Sequence, residues 1–90
     1  MKFIQSIQNL RKIRANNKNQ KIVLCHGVFD LLHIGHINHF KESKKHGNIL
    51  VVSITSDRYV NKGPGRPRFK QLDRANAISE LVDVDYVFIN

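Results

Sequence analysis

The chain has 90 residues, 41% of them hydrophobic and 24% charged, which suits one small globular domain and excludes a disordered polymer. Its longest apolar run is about five residues against the ~20 of a membrane-spanning helix, and its single cysteine, Cys25, excludes an internal disulfide framework. Fifteen Lys and Arg against seven Asp and Glu give a net charge of +8, which attracts polyanions such as nucleotides, phosphorylated metabolites or nucleic acid. Met1 to Ser6 shows no apolar leader, so a cytoplasmic location is expected.

Phe3, Ile4, Ile7, Leu10 and Ile13 recur at helical spacing and predict an amphipathic helix from about Phe3 to Ala15. Asn16 to Asn19 breaks it. Residues 1–20 thus read as a helix and linker, ahead of a domain at 21–90. Lys21 to His26 is a short apolar run bounded by Gly27 and predicts a buried strand. Gly35 or His36 to Lys45 predicts a helix, with Gly47 as its C-cap. Asn48 to Thr55 is rich in β-branched residues and predicts a second strand. Asp57 to Lys70 holds two Pro, two Gly and five basic residues, and reads as a loop. Leu72, Ala75, Ile78 and Leu81 place a helical core stripe over Gln71 to Leu81, and Asp85 to Ile89 predicts a third strand. Strands alternating with helices imply an α/β fold: a Rossmann-like parallel sheet in βαβαβ order, half of a doubly wound fold, preceded by a helix.

The first strand-to-helix turn, Gly27-Val28-Phe29-Asp30-Leu31-Leu32-His33-Ile34-Gly35-His36, carries the chemistry. Ligands of open α/β sheets bind at the carboxyl ends of the strands, where a helix N-terminus offers unpaired N–H groups to phosphate. Gly35 removes a side chain that would hold an anion off the backbone. His33 and His36, three residues apart, can both donate to one phosphoryl group. The five His between His26 and His46 lack a second Cys and ligand-spaced carboxylates, so no metal centre is expected.

The Gly-x-Phe-Asp and His-x-Gly-His elements resemble those of the nucleotidyltransferase superfamily of cytidylyltransferases and adenylyltransferases. The resemblance runs from about Lys21 to Ile89. It takes in Gly47 to Val52 with Thr55-Ser56-Asp57, the basic loop Lys62 to Pro67, Leu72-Asp73-Arg74 and Val82 to Val87. It falls within the sugar-phosphate branch: heptose-1-phosphate adenylyltransferase domains and glycerol-3-phosphate cytidylyltransferase. The glycerol enzyme has Thr where this chain has Val28. His-Ile-Gly-His is also a signature of class I aminoacyl-tRNA synthetases, which ninety residues cannot accommodate.

The resemblance implies a chain that helps transfer a nucleoside monophosphate from ATP, or else CTP, to a sugar or polyol phosphate, with Mg²⁺ carried on the triphosphate. It implies catalytic roles for His33, His36 and Lys62. It implies nucleotide contacts for Gly27, Val28, Phe29, Asp30, Gly35, Asp57, Arg66 and Arg74. Three of these keep a structural alternative: Asp30 as a turn cap, Phe29 as core, and Arg74 as an ion-pair partner. The family's late Ser/Thr-rich triphosphate motif has no counterpart here. The chain is therefore expected to be an incomplete domain, an N-terminal fragment with little activity of its own. An open first strand is expected to favour a homodimer. The competing readings are a basic nucleic-acid-binding module, which the aromatic pattern disfavours, and an inactive self-associating fragment.

Overall fold

A computed structural model describes residues 3–4, 7–60 and 63–90 of the chain. The elements are β1 (Phe3–Ile4), α1 (Ile7–Asn16), β2 (Ile22–Gly27), α2 (Ile34–Lys44), β3 (Ile49–Ile54), α3 (Gln71–Ser79) and β4 (Tyr86–Ile89), with one 3₁₀ turn at Asp57–Tyr59. The sheet order is β1-β4-β3-β2 and every pairing is parallel. The α/β Rossmann-like reading therefore holds, and β2 is an open edge.

Phe3 and Ile4 depart from the expected helix. Phe3 and Ile4 form a strand, in register with Val87 and Phe88, and the helix begins only at Ile7. Their apolar side chains fit the helical period, but a two-residue stretch also fits a strand, and the exposed flank of β4 supplies the partner.

β3 is one of the two inner strands and is buried along its whole length. Leu50, Val52 and Ile54 face α2 and α3, packing with Phe40, Ala75, Ile78 and Val84. Ile49 and Val51 face the other way, toward Leu10 and Ile13 of α1. The alternation explains why this segment reads as continuously apolar: a central parallel strand is covered on both faces. Leu72, expected in the core stripe of α3, is exposed instead, because the buried arc of this short helix is made by Arg74, Ala75 and Ile78. Cys25 is a small buried strand residue, its Sγ 3.8 Å from His39 Nε2.

Gly47 does not cap α2. Lys45 is the C-cap, in right-handed conformation, and Gly47 lies beyond it. A Cβ there would sit 2.7 Å from Val23 and 2.8 Å from the Lys21 carbonyl, so the glycine lets the chain press against the start of β2. Lys44, read as dipole compensation, forms an ion pair with Asp85, whose carboxylate also accepts from the Leu50 amide. That pair ties the end of α2 to the start of β4. Among the described residues no helix is long and apolar enough to cross a membrane.

Candidate active site

The turn between β2 and α2 lies at the carboxyl end of the sheet, as the sequence implied. The helix starts at Ile34, one residue before the expected boundary, with His33 as its N-cap in extended conformation. The Gly35 amide donates to His33 Nδ1 at 3.0 Å, and the His33 amide donates to His36 Nδ1 at 3.3 Å. This is a capping box built from two histidines in place of the usual Ser/Thr and Glu. It leaves the two rings stacked, 3.9 Å between centroids and 32° apart.

The pairing has a chemical consequence. A ring nitrogen that accepts an N–H carries no proton, so both neutral rings hold theirs on Nε2. The caps thus turn His33 and His36 into two N–H donors side by side at a helix N-terminus. Gly35 is required by the caps: a Cβ there would lie 2.8 Å from His33 Cε1. Its role includes making room for the His33 ring.

Phe29 supports the pair from behind. Its ring meets His36 edge-on at 5.4 Å and Phe40 at 5.2 Å. It also lies over Gly27, where any Cβ would approach the ring to 2.7 Å. The ring is held there by a backbone φ of 52°, a left-handed conformation that costs a non-glycine residue about 1–2 kcal/mol. Packing on the core and on His36 sustains that strain.

Asp30 is buried beneath the basic loop, its side chain 1% exposed. One oxygen accepts from Arg66 Nε at 2.6 Å and the Arg68 amide at 2.8 Å; the other accepts from the Phe69 amide at 2.9 Å. Burial opposes its ionisation most strongly, but the two amides and the Arg66 guanidinium outweigh it and hold the pKa at about 2. Of its possible roles, the one visible is a clasp that fastens the loop after β3 to the turn after β2, and with it Arg66.

Arg74 is almost wholly buried. It donates to the carbonyls of Phe69 (2.9 Å), Val28 (2.7 Å) and Thr55 (2.8 Å), and to Asp57 Oδ1 at 2.6 Å. One guanidinium thereby joins the turn after β2, the end of β3 and the basic loop. Of the roles left open for Arg74, the structure shows an ion pair with Asp57. Asp57 is further fixed by its own amide, which donates to Gln71 Oε1 at 3.0 Å.

The structure therefore brings Gly27 to Asp30, His33, Gly35, His36, Asp57, Arg66 and Arg74 to one end of the sheet. Lys62 lies outside the described residues. Sequence reasoning missed the clasp, since the Asp30 partners lie 36 to 39 residues away. It missed the histidine caps because His is not among the favoured capping residues. Among the described residues no three His, Cys, Asp or Glu converge as a metal site.

A family model described as cytidylyltransferase-like matches residues 24–90, which include the whole of this turn and both loops it engages. The chain belongs to the cytidylyltransferase-like family. Among its relatives is the bifunctional protein HldE of Desulfatibacillum aliphaticivorans, 40% identical over 90 residues, covering 96% of this chain and 18% of that protein. HldE of Campylobacter concisus is 40% identical over 88 residues, covering 96% and 19%. The chain thus spans about a fifth of the length of these relatives. A crystal structure of the lipopolysaccharide core biosynthesis protein from Thermoplasma volcanium superposes with a TM-score of 0.73 at 41% identity, over 79% of this chain and 58% of that one.

Proposed function

We propose that this chain supplies the phosphate-handling part of a nucleotidyltransferase. A phosphate oxygen of a sugar or polyol phosphate attacks the α-phosphorus of ATP, with CTP the second choice. The bond to the β-phosphate oxygen breaks, and pyrophosphate leaves with the electron pair. The observation that carries this reading is the pair of Nε2–H donors that the capping hydrogen bonds fix at the N-terminus of α2. Charge grows on the α-phosphoryl oxygens in the transition state, and donors already aimed there need no reorganisation.

His33 and His36 hold the α- and β-phosphate oxygens. Arg66, anchored by Asp30, and Lys62 draw on the leaving pyrophosphate. Phe29 sets the tilt of His36. The donors at the turn are cationic or N–H groups, and the Asp30 oxygens are already engaged, so the site is suited to phosphate rather than to a bare cation. Mg²⁺ accordingly enters with the triphosphate as substrate, held largely by phosphate oxygens and water. The HldE relatives and the sugar-phosphate resemblance support a phosphorylated sugar as acceptor.

Two measurements test the proposal. Nucleotide titrated into this chain should shift the ring signals of His33 and His36 and the Gly35 amide. Turnover is measured in a polypeptide of the relatives' length, as pyrophosphate release from MgATP or MgCTP with a panel of sugar and polyol phosphates. Nucleotide that perturbs only α1, with the turn unmoved, refutes the site. Binding at the turn with no pyrophosphate release for any acceptor refutes the reaction.

A further inference from the structure

A second polar cluster sits at the carboxyl end of the sheet and takes no part in the histidine turn. β2 runs Ile22-Val23-Leu24-Cys25 and meets its first polar residue at His26; β3 runs Ile49-Leu50-Val51-Val52 and meets its first at Ser53. The two stand opposite each other in the parallel register. His26 Nδ1 lies 3.0 Å from Ser53 Oγ, and His26 Nε2 lies 3.4 Å from Thr55 Oγ1. The Thr55 hydroxyl is also within 3.4 Å of the Gly27 carbonyl, to which it can donate.

This cluster and the loop cations flank the strand ends from opposite sides. Cys25 and Val52 pack toward α2 and α3, and Val51 toward α1, so strand alternation points His26 and Ser53 to the α1 side. Arg66 belongs to the side of α2 and α3, because Asp30 fastens it to the turn that leads into α2. In phosphoryl transfer the attacking and leaving oxygens lie roughly in line. With pyrophosphate drawn toward Arg66, the acceptor approaches from the α1 side, past His26.

The chemistry of the cluster limits what it can hold. The Ser53 hydroxyl is buried and engaged by Nδ1, which fixes the ring. The contacts on the Nε2 side are longer than the ~2.7–3.2 Å of a good hydrogen bond, so Nε2 and Thr55 Oγ1 retain capacity for a third partner. A neutral imidazole nitrogen donates or accepts according to tautomer, and a ligand hydroxyl, which does both, suits either. A phosphate is served better by the cations and N–H groups across the strand ends. An ammonium head needs a carboxylate or an aromatic cage. The carboxylates of the two adjoining loops, Asp30 and Asp57, are paired with Arg66 and Arg74.

Resting on the nucleotidyltransferase reading above, we infer that His26, held by Ser53 and assisted by Thr55, recognises the acceptor by hydrogen-bonding a free hydroxyl on its carbon skeleton. The acceptor is then a phosphorylated polyol or sugar, and an analogue with hydrogen or an ammonium group in place of that hydroxyl loses the contact. His26 sets affinity for the acceptor and leaves charge stabilisation to His33 and His36. The cluster thereby discriminates among phosphate monoesters, which the histidine turn, occupied by the phosphates of the nucleotide, does not.

The test uses a polypeptide of the relatives' length, so that whatever else lines the site is present. Pyrophosphate release from MgATP or MgCTP is followed with a polyol or sugar phosphate, with each of its monodeoxy analogues, and with analogues carrying an ammonium group. For one hydroxyl, its removal should raise the acceptor KM about tenfold. His26→Phe should impose the same rise on the hydroxylated acceptor and none on that deoxy analogue, with the nucleotide KM unchanged within about twofold. Thr55→Val should act in the same direction, and His26→Gln, which donates and accepts, should recover part of the loss. Thermal unfolding verifies that the variants are folded. The inference is overturned if His26→Phe penalises the hydroxylated acceptor and all its deoxy analogues equally. It is equally overturned if the variant lowers only the unfolding temperature, if the nucleotide KM moves as far as the acceptor KM, or if the wild type prefers an ammonium-bearing acceptor. Should no acceptor release pyrophosphate, the reaction fails and the subsite is decided separately. Polyol or sugar phosphate titrated into the histidine-labelled polypeptide then shifts the His26 ring signals, or, by leaving them unmoved, overturns the subsite as well.

Discussion

Replacing Arg74 by Leu tests the keystone reading directly. The substitution removes four hydrogen bonds at once and leaves the Val28, Thr55 and Phe69 carbonyls without their shared donor. A charge-assisted hydrogen bond is worth about 1.5–3 kcal/mol, but four at full value overstate the loss, because loop carbonyls regain water as the loops loosen. Asp57, more than a third exposed, is also rehydrated easily. Removing one partner of a buried pair costs about 3–5 kcal/mol, and that range applies here. Against the ~5–15 kcal/mol of a typical domain this is a large fraction. With a urea slope of about 1 kcal/mol per M, the unfolding midpoint should fall by about 3–5 M. Arg74→Lys keeps the charge but cannot span acceptors on three segments, so about half the loss is expected. Circular dichroism against urea reads both variants. A midpoint unchanged within about 0.5 M for Arg74→Leu, together with a collapse of nucleotide affinity, would refute the structural role and return Arg74 to the nucleotide.

Asp30 predicts an acid-sensitive step. Its pKa is lower in the folded chain, about 2, than the unperturbed 3.8, so the unfolded state binds its proton first. The stability it contributes is complete above about pH 4 and is lost as pH falls from there toward 2; the gap in urea midpoint between wild type and Asp30→Asn should close over that window. A gap that stays constant from pH 5 to about 2 would show that the clasp does not depend on the charge. Gly35→Ala should change stability by less than about 1 kcal/mol, since helix propensity gained offsets the cap lost. The added Cβ must nonetheless push the His33 ring aside, so its NMR signals should move and nucleotide affinity should drop; unmoved ring signals would contradict the packing. His36→Ala, in a polypeptide of the relatives' length, should lower turnover ~10²–10³-fold. Nucleotide affinity should fall far less, because the donor acts mainly on the transition state. Near wild-type turnover would remove His36 from the chemistry.

Local signals determined more of this protein than its size suggests. The order of strands and helices followed from apolar runs and periodicity, both set by residues within a few positions of each other. The histidine turn was legible because glycine, the two histidines and the end of a strand fall within ten residues, and the fold class says what the end of a parallel strand is for. Tertiary structure alone decided the rest. Phe3 and Ile4 became a strand because β4, more than eighty residues along, offers an unpaired edge. Arg74 reads as a phosphate ligand as readily as an ion-pair partner, since its type and position are the same in both; its burial among three carbonyls and its ion pair with Asp57 appear only in the fold. Asp30 lies next to the histidines in sequence, yet its partners lie across the fold in the basic loop. Gly47 has the local look of a helix cap, and its requirement comes instead from Val23 of β2 and from Lys21 just before it. In each case the deciding interaction joins residues that are far apart along the chain, and propensity and periodicity register only near neighbours.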